Sequence, residues 1–433
     1  MSKSAILAII VDMLDIKFIR ENKELVAENA AHRLAKVDID RLLEVDEMRR
    51  TIQGEIQDLR STRNKSSKSK PSPEEIANMR KVGDAIAKLE AKEAEISAEF
   101  KELLMAVPNL THPDVVVSDD ENENPVLETI GKIPHFNFEP KDHLQLAETL
   151  DLIDLERGAK VAGAKFYYLK NELALLSLAL NCYALDLAVK RGFIPMLTPD
   201  MAKTSVVEGL GFNPRGESSQ IYRIEESDLN LVGTAEITLG GYHADEVLDL
   251  SKAPLKYVGL SHCFRTEAGA YSKFSKGIFR VHQFEKLELF VYCKPEDSEK
   301  MHRELLELEK EIFSSLGIPF RVIDHSTADL GTPAYRTFDL EAWMPGKPNA
   351  EGGLGDWAEI TSTSNCTDYQ SRALTIKYTT ADNEKKLVHT LNGTANPGPR
   401  ALIAILENFQ TKDGSIEIPK KLRPYLSFKK ISS

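Results

Sequence analysis

The chain has 433 residues, more than one typical domain, and 42% of them are hydrophobic, enough for a full buried core. Its formal charge of −12 excludes a uniformly basic nucleic-acid binder, though not a local basic patch that steers a polyanion. Cys182, Cys263, Cys293 and Cys366 are widely spaced with no CxxC pair, which excludes an evident disulfide framework or zinc cluster and points to a reducing cytoplasm.

Residues 5–11, AILAIIV, follow a single lysine; the run is too short to span a bilayer and has no small-residue cleavage site, so no membrane role is expected. Short helices are expected from Asp15 to Ala35. Two apolar stripes at helical spacing follow: Val45, Met48, Ile52, Ile56 and Leu59, then Ile76, Met79, Val82, Ile86, Leu89, Ile96, Phe100 and Leu103. Glu93 stands in the one gap. With Pro71 and Pro73 marking a turn between them, the stripes predict an antiparallel helical hairpin over about 41–105. Helices of about 25 residues reach roughly 35–40 Å. The tip carries Arg60, Arg63, Lys65, Lys68 and Lys70, with no acid between Asp58 and Glu74. Such a cluster is either a solvated turn or, on an acidic protein, a grip on a phosphate backbone.

Asp119, Asp120, Glu121 and Glu123 mark a solvated acidic linker at 119–126. A helical pattern from Leu173 to Val189 runs into RGFIPMLTPD, a helix-to-strand junction. In LNLVGTAEITLGGY, Thr234 reads as the N-cap of a helix. LKYVGLSHCF, rich in β-branched and aromatic residues, reads as a strand, and Phe279 to Tyr292 as its hairpin partner. On that second strand Phe279, Val281, Leu287, Leu289 and Val291 share one face. Arg280, His282, Phe284, Lys286 and Glu288 share the other, and the hairpin brings Arg265 and Glu267 beside it. That face reads as a site.

His302 to Leu316 predicts an amphipathic helix, and Tyr335 to Pro345 a strand and turn. In Trp357–Asn365, Glu359 and Ser362 have opposite strand parity, so a bend or bulge is required to bring them together. The LIAIL run before Glu407 and Asn408 predicts a buried helix with Arg400 near its first turn. A cation there opposes the helix dipole but meets any phosphate that the dipole attracts.

The stretch FRTEAGAYSKFSKGIFRVHQFEKLE resembles the second signature motif of class II aminoacyl-tRNA synthetases, closest to the seryl-tRNA synthetase form FRxEAG…G…RxHQFxKxE. The resemblance implies an α+β fold, with a catalytic domain at 127–433 built on an antiparallel sheet flanked by helices. It implies an ATP-using ligase that converts L-serine to seryl-adenylate and transfers the seryl group to the 3′ end of tRNA(Ser). By this likeness Arg265 meets the α-phosphate and Arg400 another ATP phosphate, both as catalytic groups. Glu267 takes the adenine amino group, Phe284 stacks on adenine, Arg280 contacts pyrophosphate, and Thr266 and Val281 belong to the same ATP site. Thr234, Ala235, Glu236, Glu288 and Thr394 match serine contacts, shared with Arg265. Glu359, Ile360, Thr361 and Ser362 match ATP contacts, with Glu359 and Ser362 also toward Mg²⁺; no zinc is expected.

Gly192, Phe193 and Pro199 resemble the family's first motif, which implies a homodimer. The helical hairpin resembles the coiled-coil arm that grips the long variable arm of the tRNA, within a tRNA-binding domain at 13–118. Met13-Leu14-Asp15-Ile16 is similar to the family's usual start, which makes residues 1–12 an extension. Asn396-Pro397-Gly398-Pro399 departs from the family pattern, where this stretch is more often apolar. Two other readings are open to such a chain. A ligase that charges a carrier protein would lack the arm. A non-catalytic RNA-binding or regulatory paralogue would have lost Arg265, Glu267, Phe284, Glu288 or Arg400, and all five are present.

Overall fold

The computed structural model describes residues 15–66, 73–213, 219–268 and 274–432, without the side chains of 65–66 and 73–76. Lys68, Lys70, the side chain of Lys65 and the expected extension at 1–12 lie outside the described residues. The chain divides into two compact units, one up to Leu110 and one from Thr111 onward.

The first unit opens with α1 (Ile16–Glu21), whose N-cap Asp15 accepts a bond from the Phe18 N–H, and α2 (Lys23–His32). Then come α3 (Ile39–Ser66) and α4 (Pro73–Ala106), of 28 and 34 residues. At 1.5 Å per residue these reach about 42 and about 51 Å, longer than the stripes alone predict. Pro73 opens α4, a position where its missing N–H leaves no bond unmade. Val45, Ile52, Ile56 and Ile96 form the buried seam, with Leu89, Phe100 and Leu103 packed against it. Met48, expected in the stripe, is 40% exposed instead. The Glu93 gap is a polar cross-link: its Oε1 accepts from Gln53 Nε2 and Ser97 Oγ, each at 2.9 Å. Those two bonds hold the Glu93 carboxyl below its ordinary range. Arg41 meets Glu99 at 2.8 Å and Arg60 meets Glu90 at 2.6 Å. Partner numbers fall along α4 as they rise along α3, which is an antiparallel pairing.

The second unit is built on an eight-stranded sheet among the described residues. Its strands are β1 (Val126–Ile130), β2 (Ile194–Leu197), β3 (Leu255–Phe264), β4 (Gln283–Cys293), β5 (Phe320–Asp324), β6 (Arg336–Pro348), β7 (Leu354–Thr367) and β8 (His389–Asn396). They lie in the order β1-β5-β6-β7-β8-β4-β3-β2, antiparallel throughout except for the terminal β3–β2 pair. Four helices matter for the site: α5 (Asn171–Lys190), α6 (Ala235–Gly241), α7 (Ser298–Leu316) and α8 (Pro399–Asn408). By length and composition α5 could cross a bilayer, but its Leu173, Leu176, Leu180 and Tyr183 pack into the core with α7 and α8.

Strand β4 shows the period of two directly. Leu287, Leu289 and Val291 join that core, whereas Phe290 and Tyr292 join a second cluster with Ile237 and Leu239 of α6. The strand begins at Gln283 and not at Phe279 as expected. Ahead of it the His282 N–H bonds to the Lys165 carbonyl at 3.2 Å, outside the ladder. Strand β1 begins at Val126, inside the expected linker. The acidic run before it is tied down, since Asp120 accepts from the Asn122 N–H and Asn124 bonds to Asp329.

Candidate active site

The β3–β4 hairpin pairs from Leu255 with Tyr292 to Phe264 with Gln283. Just past the Phe264–Gln283 pair, where the connecting loop begins, Arg265 N–H donates to the His282 carbonyl at 3.0 Å, and His282 Nδ1 donates back to the Arg265 carbonyl at 2.9 Å. This reciprocal pair fixes where the Arg265 side chain starts. Its Nε donates to the Gly233 carbonyl at 3.2 Å, and its guanidinium lies 5.1 Å from the centre of the Phe284 ring. Glu267 takes left-handed backbone, φ 53°, uncommon outside glycine, and meets Arg280 Nη1 at 3.3 Å. Thr266 is fixed through its hydroxyl to the Ser219 carbonyl at 2.5 Å.

Further along β4 lies a buried acidic end. Glu288 is 1% exposed, accepts from Thr234 Oγ1 at 3.1 Å and pairs with the Lys286 ammonium. Its register partner on β8 is Thr394, whose N–H donates to Glu309 of α7 at 2.8 Å. Thr234 also caps α6, accepting from the Glu236 N–H at 3.2 Å, so it is the helix N-cap expected from the sequence. Ala235 is fully buried behind it. Burial raises the Glu236 carboxyl pKa, and its Oε1 accepts from Gln370 at 2.8 Å and Asn392 at 3.0 Å. Burial, with the Arg265 charge, lowers Lys286 to about 8.

The bulge that Glu359 and Ser362 require is present. Across the β6–β7 ladder Leu340 faces Thr361 while Glu341 faces Glu359, so Ile360 is the extra residue and parity reverses there. Ser362 pairs with Asp339. Thr361, on the opposite face, donates its hydroxyl to Glu309 at 2.7 Å. Glu359 is crowded by protein atoms, which disfavours its charge, yet 47% of its side chain stays exposed. The Arg400 guanidinium, 3.0 Å away, outweighs the crowding and holds the carboxyl at about 2.

Arg400 also lies 4.7 Å from the Phe279 ring centre and donates to the Glu359 carbonyl. The departing NPGP stretch is what aims it. Gly398 has φ +60°, and a Cβ there would come within 2.2 Å of the Glu285 carbonyl oxygen, so only glycine fits. Pro399 then opens α8.

These groups enclose a cavity of about 130 Å³ lined by Arg265, Glu267, Arg280, Val281, Phe284, Lys286, Glu359, Ile360, Thr361, Ser362, Thr394 and Arg400. Glu288, Thr234 and Glu236 adjoin it through Lys286 and Thr394. Arg60 and Arg63 are exposed on α3 in the other unit. Lys286 stood on the predicted site face without a role. Glu309 and Asn392 carried no sequence signal, because each is an ordinary residue of a helix or strand until tertiary packing buries it. The cavity brings cations, carboxylates and a ring together around one small volume. That arrangement can bind a polyphosphate beside a small zwitterion.

Residues 221–409 match the family model described as tRNA synthetase class II core domain (G, H, P, S and T), and residues 13–111 that of the seryl-tRNA synthetase N-terminal domain. The serine–tRNA ligase of Treponema denticola is 51% identical over 426 residues, covering 97% of this chain and 100% of the relative. That of Dictyoglomus turgidum is 48% identical, covering 97% and 99%. Among solved structures, a seryl-tRNA synthetase from Pyrococcus horikoshii complexed with ATP superposes with TM-score 0.83 at 41% identity, covering 97% of this chain and 99% of that one. The cytoplasmic serine–tRNA ligase of Naegleria fowleri in complex with AMP superposes with TM-score 0.81 at 32% identity, with the same coverage. With such identity along nearly its whole length, this chain belongs to the seryl-tRNA synthetase family.

Proposed function

We propose that the chain is a serine–tRNA ligase, which activates L-serine with ATP and esterifies tRNA(Ser). The observation that carries this reading is the convergence of Arg265, Arg400 and Glu359 on one cavity, with Glu288 and Thr394 paired beside it. A serine carboxylate oxygen attacks the α-phosphorus while the bond to the β-phosphate oxygen breaks and pyrophosphate leaves with the electron pair. Arg265, pinned by Gly233 and His282, presents a preorganised fork to the charge that develops on the α-phosphate. Phe284 offers adenine a ring face, Glu267 accepts from its amino group, and Arg280 and Arg400 meet the leaving phosphates. In the second step the 3′-hydroxyl oxygen of the terminal adenosine attacks the seryl carbonyl carbon, the bond from that carbon to the phosphate oxygen breaks, and AMP leaves with the electron pair as the hydroxyl gives up its proton. No side-chain nucleophile is needed; positioning and fixed charge do most of the catalysis.

Glu288 holds the serine ammonium and Thr394 its hydroxyl, so alanine leaves a buried polar group unpaired. The residues present also fit Mg²⁺. Glu359 stays ionised and half open, and Ser362 shares its face beside Asp339, so the donor set is hard oxygen. A bound Mg²⁺ would neutralise phosphate charge through those oxygens.

The first unit takes the tRNA, whose phosphate backbone is met by the basic run of Arg60, Arg63, Lys65, Lys68 and Lys70 in the sequence. A homodimer is supported by apolar side chains left at the surface, Leu175 and Leu178 on α5 and Ile194 and Leu197 on the edge strand β2. Four free cysteines support a cytoplasmic setting. Serine-dependent ATP–pyrophosphate exchange, followed by seryl transfer to tRNA(Ser), tests the reading. Exchange that does not depend on serine would overturn it.

A further inference from the structure

We propose that Lys286 is a substrate-binding residue of the first step, holding the carboxylate of serine and so selecting a zwitterion. The inference rests on the reading of the cavity as the site for serine and ATP. Lys286 stands on β4 between Phe284 and Glu288, its side chain 12% exposed, and lines the cavity. Its ammonium pairs with Glu288, the buried carboxylate assigned to the ammonium of serine. The pocket thus contains an ammonium–carboxylate pair of its own, with the polarity opposite to that of an incoming amino acid.

A zwitterion can enter by exchanging partners. Its ammonium takes Glu288, and its carboxylate takes the Lys286 ammonium that Glu288 no longer satisfies alone. A buried ammonium is costly unless a counter-charge reaches it. The other carboxylates near Lys286 are already engaged: Glu236 with Gln370 and Asn392, Glu359 with Arg400, and Glu309 with Thr361 and the Thr394 N–H. Arg265 lines the same cavity, so the reacting carboxylate lies between two cations, one leading to the α-phosphate and one to the amino-acid subsite.

The test uses the full chain and compares L-serine with L-serinamide, which keeps the ammonium and hydroxyl but lacks the carboxylate. Serine-dependent exchange gives KM for serine and ATP, and inhibition gives Ki for serinamide. Lys286→Met should raise the serine KM by about ten- to a hundredfold, the scale of a lost bond between charged groups. Serinamide Ki should stay the same or tighten, and the ATP KM should barely move. Lys286→Arg should preserve the wild-type ratio of serinamide Ki to serine KM. Lys286→Gln, which keeps a polar head, should lower it and carries the test if the methionine variant folds poorly. A parallel rise of serine KM and serinamide Ki would overturn the proposal, since it would mean that Lys286 only orients Glu288. So would an unchanged serine KM. Failure of the wild type to use serine would instead overturn the functional reading.

Discussion

Thr394 and Glu288 are register partners across the β8–β4 ladder, and Thr234 reaches the same Glu288 carboxylate at 3.1 Å from the cap of α6. Three separate segments therefore define one end of the cavity. Glu288→Gln removes a charge that, of the two substrates, the proposal assigns to serine alone, and we expect serine KM to rise by at least about tenfold with ATP KM nearly constant. Thr394→Val should narrow the preference for serine over alanine. Steady-state exchange with both amino acids measures each effect, and equal losses for serine and ATP would count against this division of the site.

In the proposed mechanism Arg265 meets the transferring phosphate with a planar fork. Arg265→Ala is expected to slow adenylate formation by about a hundredfold or more, the scale of one lost transition-state donor. Lysine should restore little, because it has a point charge and no fork. Near-normal exchange in Arg265→Ala would remove the residue from the mechanism.

Glu309 lies beneath the pocket, accepting from Thr361 and from the Thr394 N–H, and burial pushes its carboxyl up to about 8. A folded-state value above the unfolded one means that the native state holds the extra proton. Stability from this group is therefore full below the unfolded value of about 4.3 and is lost as pH rises through about 8. Glu309→Gln mimics the protonated form, with its oxygen still able to accept from Thr394 and its amide able to donate to Thr361. Thermal unfolding of both proteins between pH 5 and 8.5 should show the variant gaining on the wild type as pH rises. A constant difference across that range would show that Glu309 does not titrate there.

The arm should fold and fail as a unit, because α3 and α4 bury Val45, Ile52, Ile56 and Ile96 against each other. Replacing residues 46–100 with a short Gly/Ser turn should leave exchange within a few fold and abolish tRNA serylation. Changing Lys65, Lys68 and Lys70 to alanine should act more mildly, lowering the slope of log affinity against log salt by about one for each phosphate no longer neutralised. Loss of exchange on arm deletion would make the helices part of the catalytic core. Intact serylation would make the basic tip a solvated turn.

The parts of this protein legible in its sequence are those that local period dictates. Alternation placed Arg265, Phe284 and Glu288 by the face of β4, and three-to-four spacing marked both arm helices. Even the Glu93 interruption was visible, though its explanation by Gln53 and Ser97 needed the partner helix. The extra residue at Ile360 was not legible, since a bulge is a mismatch between two strands and only one of them lies in the local window. Glu309 reads as a surface glutamate of an amphipathic helix until β7 and β8 cover it. Gly398 marks a similar limit: in the sequence the NPGP stretch was legible only as a departure from the family pattern. In the fold its glycine is what allows the chain to pass the Glu285 carbonyl and start α8 with Arg400 toward the cavity.

The central claim is that one cavity joins serine to the α-phosphate of ATP. It is tested most directly by incubating the protein with α-labelled ATP, Mg²⁺ and L-serine, without tRNA, and identifying the labelled product that stays on the protein. The account predicts seryl-adenylate, formed with release of pyrophosphate and discharged to AMP and seryl-tRNA when tRNA(Ser) is added. Release of ADP and phosphate, or a labelled product that forms equally well without serine, would contradict it.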